Sequence, residues 1–329
     1  MLINLRNALM AGKRLPYDAE VEYLESTGTQ YIDTGVILDS TYGIDICFAP
    51  MESASGVSEH GIFGSSVSGS GTVHNVLQIH SSAGGVGLWM PSNTRICNYA
   101  ITVGDYQHWQ INLGNANNVV VDGTNRGSTH PTTASACPYS VYLFAHNVGG
   151  SLKSGSCSSM RLASWKVYDG NGNLVQDCIA VRVGTVGYLY DRVSGKPFGN
   201  AGTGDFQCGP DVVPATWVDG EYWDTFGVAT ALSGASRCDN FIPVQPSSSV
   251  TFYLGHRPGG TTLYMVQYNA NKERVNSTYN ANGAARTITI PANCYFIRVS
   301  ANTTQKNEAY IHDDTNDRDL LRNGKVLVG

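Results

Sequence analysis

The chain opens with Leu2, Leu5 and Leu9 at helical spacing, Met10 beside them and Pro16 as a stop. This pattern predicts a short amphipathic helix over 1–16. A helix of that length is marginal alone, so its apolar stripe needs a partner surface, either on its own domain or between copies in an oligomer. From Val21 to Gly209 the period changes to two, with apolar alternations broken by Gly, Ser, Asn and Asp every eight to twelve or so residues. Strands are predicted at 20–24, 30–36, 43–48, 73–80, 86–90, 108–113, 118–122, 139–146, 161–168 and 175–183. The same grammar returns at 250–254, 262–268, 286–290 and 295–300. The Gly-rich run Gly199–Gly204 and the prolines Pro210 and Pro214 mark a boundary between them. The expected organisation is all-β: a helix at 1–16, a sandwich at 17–210, a linker at 211–218 and a smaller β-sandwich at 219–329. The tail from Ile311 is polar and acidic before Val326, Leu327 and Val328, and is expected to be loosely held.

Composition narrows the function classes. The 329 residues carry a net charge of -5 and only 14% charged residues, with no basic block. Nucleic-acid binding therefore lacks its electrostatic footprint. Arg6 and Asn7 interrupt what would be the apolar core of a signal peptide, and no long apolar run follows, so neither export nor membrane insertion is expected. Eight cysteines, without a close pair, read as buried free thiols rather than disulfides or a zinc site.

Three stretches resemble a family of proteins from phages and prophages of gut bacteria that carry a laminin-G-like, concanavalin A-type jelly roll. The first is Glu22-Tyr23-Leu24-Glu25-Ser26-Thr27-Gly28-Thr29-Gln30-Tyr31-Ile32-Asp33-Thr34-Gly35, similar to that family's entry strands. The second is Trp165-Lys166-Val167-Tyr168-Asp169 with Leu174-Val175-Gln176-Asp177, similar to its late hairpin. The third is Gly187-Tyr188-Leu189-Tyr190-Asp191 with the run from Phe198 to Phe206, similar to its closing segment. More weakly, Ser233–Val244, Tyr268–Lys272 and Ile290–Ser300 resemble small galactose-binding-like or baseplate-type modules. The resemblance implies a virion or tail-associated component that touches cell-surface glycan.

Candidate chemistry is sparse. A glycosidase needs two facing carboxylates, yet between Val73 and Leu113 the only one is Asp105, in a predicted loop. The group Asp219, Glu221 and Asp224 sits at the domain junction and reads as solvated. Asp169-Gly170-Asn171-Gly172-Asn173 has the alternating donors of a calcium loop, but Leu174 and Ala180 stand where the pattern needs Gly and Glu, so a hairpin turn explains it better. Asp313, Asp314, Asp317 and Asp319 likewise read as a solvated run. His74, His80 and His108 read as scattered surface residues rather than zinc ligands. Ser66 and Cys97 are conceivable nucleophiles that nothing singles out. No cofactor is expected, and calcium has no support beyond these runs.

Alternation does assign faces. Leu77 and Ile79, Val86 and Leu88, Trp109 and Ile111, and Val141, Leu143 and Ala145 form apolar sets. If these make the core, one outer face presents Gln78, His80, Trp89, His108, Gln110, Asn112, Tyr142 and His146. An aromatic ring among amides and imidazoles suits sugar, the ring stacking on C–H faces while polar groups read hydroxyls. The same face also fits an ordinary polar exterior with Trp89 covered by a loop. In the second domain no site is visible, and Arg298 reads as a surface residue.

The expectation is a non-catalytic virion component, tail-associated, made in the bacterial cytoplasm without a signal peptide and binding host-surface or mucus glycan. Its other partners are virion proteins and copies of itself, a trimer being one natural order, with Leu2, Leu5 and Leu9 as contacts. The rivals are a purely structural virion protein and a glycan-degrading enzyme.

Overall fold

The computed structural model describes residues 15–38, 41–68, 74–90, 94–113, 119–126, 137–255, 262–280, 284–315, 318–322 and 324–328. The helix expected over 1–16, with Leu2, Leu5 and Leu9, lies outside the described residues except at its end. The chain divides into two compact units, 1–209 and 210–329. Both are β-structure; the described residues contain no α-helix and a single short 3-10 turn, Ser81–Ala83.

The first unit is a sandwich of two sheets. One runs in the order Thr124–Asn125, Val119–Val121, Gln107–Asn112, Gly43–Pro50, Ser159–Tyr168, Leu174–Val183, Val186–Asp191 and Lys196–Phe198. The other runs Ser151–Leu152, Asn147–Val148, His60–Ser66, His74–His80, Gly85–Met90 and Thr94–Ala100. Among the described residues, pairing is antiparallel except where Asn147–Val148 lies parallel to His60–Ser66 and at the isolated parallel bridge between Gly61 and Cys157.

Period-two patterning explains how the sheets meet. Ile44, Ile46 and Phe48 from one sheet and Leu77, Ile79, Val86 and Leu88 from the other enter one core. Each such burial contributes about 1.5–3 kcal/mol. Trp109 and Trp165 also enter, and each indole N–H donates to a glutamine, Gln107 at 3.0 Å and Gln176 at 2.7 Å, so neither buried donor is orphaned. All eight cysteines are free. Burial pushes the Cys97 and Cys238 thiols up to about 11, so they are protonated at neutral pH and poor nucleophiles.

The entry and closing segments of this unit are clasped together. Gln30, buried, accepts the Thr27 amide N–H at 2.9 Å and the Ser26 hydroxyl at 3.1 Å, and donates to the Asp205 carbonyl at 3.2 Å. Asn200 accepts the amides of Tyr31 at 3.1 Å and Gly202 at 2.8 Å. Leu24–Thr27 then pairs with Gln207–Cys208.

The second unit pairs Asp211–Pro214, Lys325–Val328, Arg318–Arg322, Tyr310–Asp313, Ser249–Tyr253 and Arg286–Thr289 in one sheet. Its other sheet pairs Trp217–Trp223, Ala229–Cys238, Phe296–Asn302, Leu263–Tyr268 and Arg274–Asn280, with Ile242–Pro243 against Phe296–Asn302. Residues 211–218, expected as a linker, are largely strand, because Val212 docks into this unit opposite Leu327. The tail expected to be loose is strand as well: Ile311, Leu320, Leu321 and Val326 all lie in the core. Four aliphatic anchors scattered among charges hold it, a spacing that an acidic composition hides.

Candidate functional site

The eight residues expected on one face do not share one. Gln78, His80, Trp89, Tyr142 and His146 belong to the sheet built on His60–Ser66, whereas His108, Gln110 and Asn112 belong to the sheet built on Gly43–Pro50. Since Leu77 and Ile79 face Trp109 and Ile111 across the core, the two groups point away from each other. The expected single face is thereby divided into two opposite ones.

On the first of these faces most of the side chains are covered. Gln78, Trp89, Tyr142 and His146 are 6%, 9%, 7% and 3% exposed. The Trp89 ring lies so close over Gly87 that a Cβ there would stand 2.4 Å from it, and His80 flanks it with ring centroids 5.3 Å apart. An aromatic enclosed in this way is no open stacking platform. His146 Nε2 lies 3.0 Å from the Ser66 hydroxyl oxygen, but Ser66 is 0% exposed, so this pair has no surface for a substrate.

The other face is open where it matters. Leu15 and Tyr17 pack on Ile179, Val181, Tyr188 and Tyr190 and cover one side of the sheet. Elsewhere on the outer surface of this sheet lies a cleft of about 450 Å³ lined by Thr41, Gly43, Asp45, Gln110, Asn112 and Tyr168, closed at one end by the Asp169–Gly172 turn. Register builds this lining: Asp45 pairs with Gln110 and Gly43 with Asn112 on one side, and Gly43 pairs with Tyr168 on the other. Each lining side chain alternates with a core residue, Asp45 between Ile44 and Ile46 and Tyr168 after Val167.

Electrostatics fix the centre of the cleft. His108 Nε2 stands 3.0 Å from Asp45 Oδ1, and Gln110 Nε2 donates to Asp45 Oδ2 at 3.3 Å. The hydrogen bond to Asp45 raises the His108 pKa, against the effect of partial burial. For Asp45, burial acts to raise the pKa, but the hydrogen bonds from His108 and Gln110 outweigh it and hold the carboxyl below its ordinary value. Asp169 is also held low, by the side-chain and backbone N–H groups of Asn173 and by the Asn171 amide. Its carboxylate is thus engaged within the turn that joins Ser159–Tyr168 to Leu174–Val183. Among the described residues no three His, Cys, Asp or Glu side chains are grouped to hold a metal ion.

Of the expected residues the cleft gathers Gln110 and Asn112, with His108 behind Asp45. Thr41, Asp45 and Tyr168 were missed. The signal for the last two was available, since both occupy outward positions in predicted strands; what period two does not reveal is that 43–48 and 161–168 flank 108–113.

The acidic group at the junction is accounted for by pairing. Asp219 receives Lys306 Nζ at 2.6 Å and the Ser236 hydroxyl at 2.5 Å, Glu221 meets Arg237 at 2.6 Å, and Asp224 accepts the amides of its own turn. No described helix is long and apolar enough to cross a membrane. The chain matches no protein-family model, no curated protein and no solved structure. The fold and site define an all-β protein of sandwich character with an open polar cleft on an outer sheet face.

Proposed function

We propose that this protein is a non-catalytic, glycan-binding component of a phage or prophage particle, tail-associated, whose first unit is a laminin-G-like, concanavalin A-type jelly roll. The observation that carries the glycan reading is the cleft over Gly43–Pro50. Its volume falls within the roughly 300–1,000 Å³ of small-ligand sites. It offers one aromatic ring, Tyr168, beside two amides and a hydroxyl from Gln110, Asn112 and Thr41, the mixture a sugar requires: a flat apolar surface and convergent donors and acceptors. Host-surface or mucus glycan is the ligand on this reading, with virion proteins and further copies of the chain as the other partners.

Binding without hydrolysis is supported by the state of the two carboxylates at the cleft. A glycosidase needs one carboxyl held protonated as a general acid. Asp45 and Asp169 are both shifted the other way.

A panel of bacterial and mucin glycans tests the proposal. Tyr168→Ala and Gln110→Ala should each weaken binding of the best ligand by about tenfold or more, the order expected for losing one good contact of about 1.4 kcal/mol, with the melting temperature little changed. Binding that survives both substitutions unaltered, or a folded wild-type protein that binds no glycan, removes the reading.

A further inference from the structure

The second unit carries aromatic rings on the outer face of one sheet, and several are capped by a cation. Cross-strand register sets them there. Tyr268 pairs with Arg274 on one side and Phe296 on the other, and Val266 pairs with Ser277 and Arg298. The alternate residues Leu263, Met265, Ile297 and Val299 enter the core, so this set faces out. Arg298, expected as a plain surface residue, is instead enclosed: its guanidinium lies 3.9 Å from the Trp223 ring centre and 4.5 Å from that of Phe241.

The hairpin between Trp217–Trp223 and Ala229–Cys238 folds over this face. Gly227 makes the turn at φ 78, and a Cβ there would lie 2.8 Å from the Tyr268 hydroxyl; only glycine permits both the backbone angle and the approach. The fold-over presents Phe226, 72% exposed, with the Arg274 guanidinium 5.8 Å from its ring centre. The pattern repeats at Tyr279, 44% exposed, under Arg286 at 5.3 Å, and at Phe241 under Lys272 at 4.8 Å.

The cations differ in what already holds them. Arg237 and Arg298 are paired with Glu221 and Asp239. Lys272, Arg274 and Arg286 have no carboxylate at ion-pair distance among the described residues, although Arg286 Nη1 donates to the Tyr279 carbonyl at 2.7 Å. Exposed rings next to cations free to accept an anion are complementary to a ligand that has flat apolar faces and a carboxylate on each unit. Sugar C–H faces stack on the open side of a ring, and a carboxylate takes a charge-assisted hydrogen bond from the neighbouring guanidinium.

We infer that this face is a second carbohydrate site, separate from the cleft and specific for acidic polysaccharide whose uronic-type sugars repeat a carboxylate along the chain. A nucleic acid fits less well. Duplex DNA carries one charge per about 1.7 Å, and three cations neutralise few of its phosphates.

The test uses the full-length protein with polygalacturonate as the acidic probe and dextran as the neutral one, by affinity electrophoresis at about 20 mM and about 300 mM salt. The expected result is retardation by polygalacturonate alone, weakened about tenfold at the higher salt. The double substitution Phe226→Ala with Arg274→Ala should weaken it at least tenfold, while Tyr168→Ala leaves it intact. Both replaced side chains are exposed, and an unchanged melting temperature verifies folding. The inference is overturned by no retardation of folded protein, by equal retardation in dextran, or by a double variant that binds as well as wild type. Tighter capture of a thymidine oligonucleotide would replace it with a nucleic-acid site. A dimer that becomes monomeric on Phe226→Ala would replace it with a protein interface.

Discussion

His108 and Asp45 make the first unit's stability depend on pH in two opposite senses. The folded pKa of His108 is raised by its bond to Asp45, so its contribution is complete below the unfolded value of about 6.5 and fades as pH climbs through the folded one. The folded pKa of Asp45 is lowered, so its contribution is complete above about 4 and fades as pH falls through the folded value. The pair therefore stabilises most at about pH 5–6. Urea unfolding of wild type and His108→Gln across pH should give the widest gap there and a narrowing one as pH rises above about 6.5; a gap independent of pH contradicts this. At this scale the sequence was legible in part. Alternation correctly turned His108, Gln110 and Asn112 outward, because Trp109 and Ile111 leave no other choice. It left open whether Trp89, equally outward, would be exposed or covered; the ring is enclosed at 9% exposure, and what covers a face comes from elsewhere in the chain.

Among the elements, turns are fixed by single acidic residues. The carboxylate of Asp191 accepts the amides of Asp177, Val193 and Ser194 at 2.9, 3.1 and 3.1 Å, and the Ser194 hydroxyl at 2.5 Å. It ties the hairpin from Val186–Asp191 to Lys196–Phe198 onto the neighbouring strand. Asp191 is 2% exposed, so removing it strands the buried Asp177 amide and frees the Val193 and Ser194 amides at the turn. Asp191→Ala should cost about 2–3 kcal/mol in denaturant unfolding, with Asp191→Asn intermediate; a loss under about 0.5 kcal/mol would show that water replaces the carboxylate. Strands with strong alternation, such as Gly43–Pro50, Ser159–Tyr168 and Leu174–Val183, were readable as strands. His60–Ser66 was not, and the cause is physical. A Cβ at Gly61 would fall 2.5 Å from the Ala145 backbone, so the crossing chain demands glycine at the position where a period-two side chain would have signalled the strand.

For the whole molecule, two separate cores account for the two units, the first gathering Ile46, Trp109 and Trp165, the second Phe252, Met265 and Ile297. That there are two was legible from the break near Pro210. The pairing of Asp211–Pro214 with Lys325–Val328 was not, because contact between distant segments leaves no local periodicity. The same holds for the clasp at Gln30, whose partner Asp205 is 175 residues away. That clasp has a mechanical consequence. Cys208 pairs with Leu24 and Gln207 with Glu25, so the residues just before Leu24 and just after Cys208 leave this short strand pair at the same end. Tension between the segments before Leu24 and after Cys208 therefore peels this pair open bond by bond rather than shearing it. In single-molecule stretching with handles at Glu22 and Pro210, beside the pair, a small, low-force step at the clasp should precede rupture of the sandwich; a single high-force rupture would contradict this. Under load the first unit would thus lengthen at its ends while its cleft stays folded.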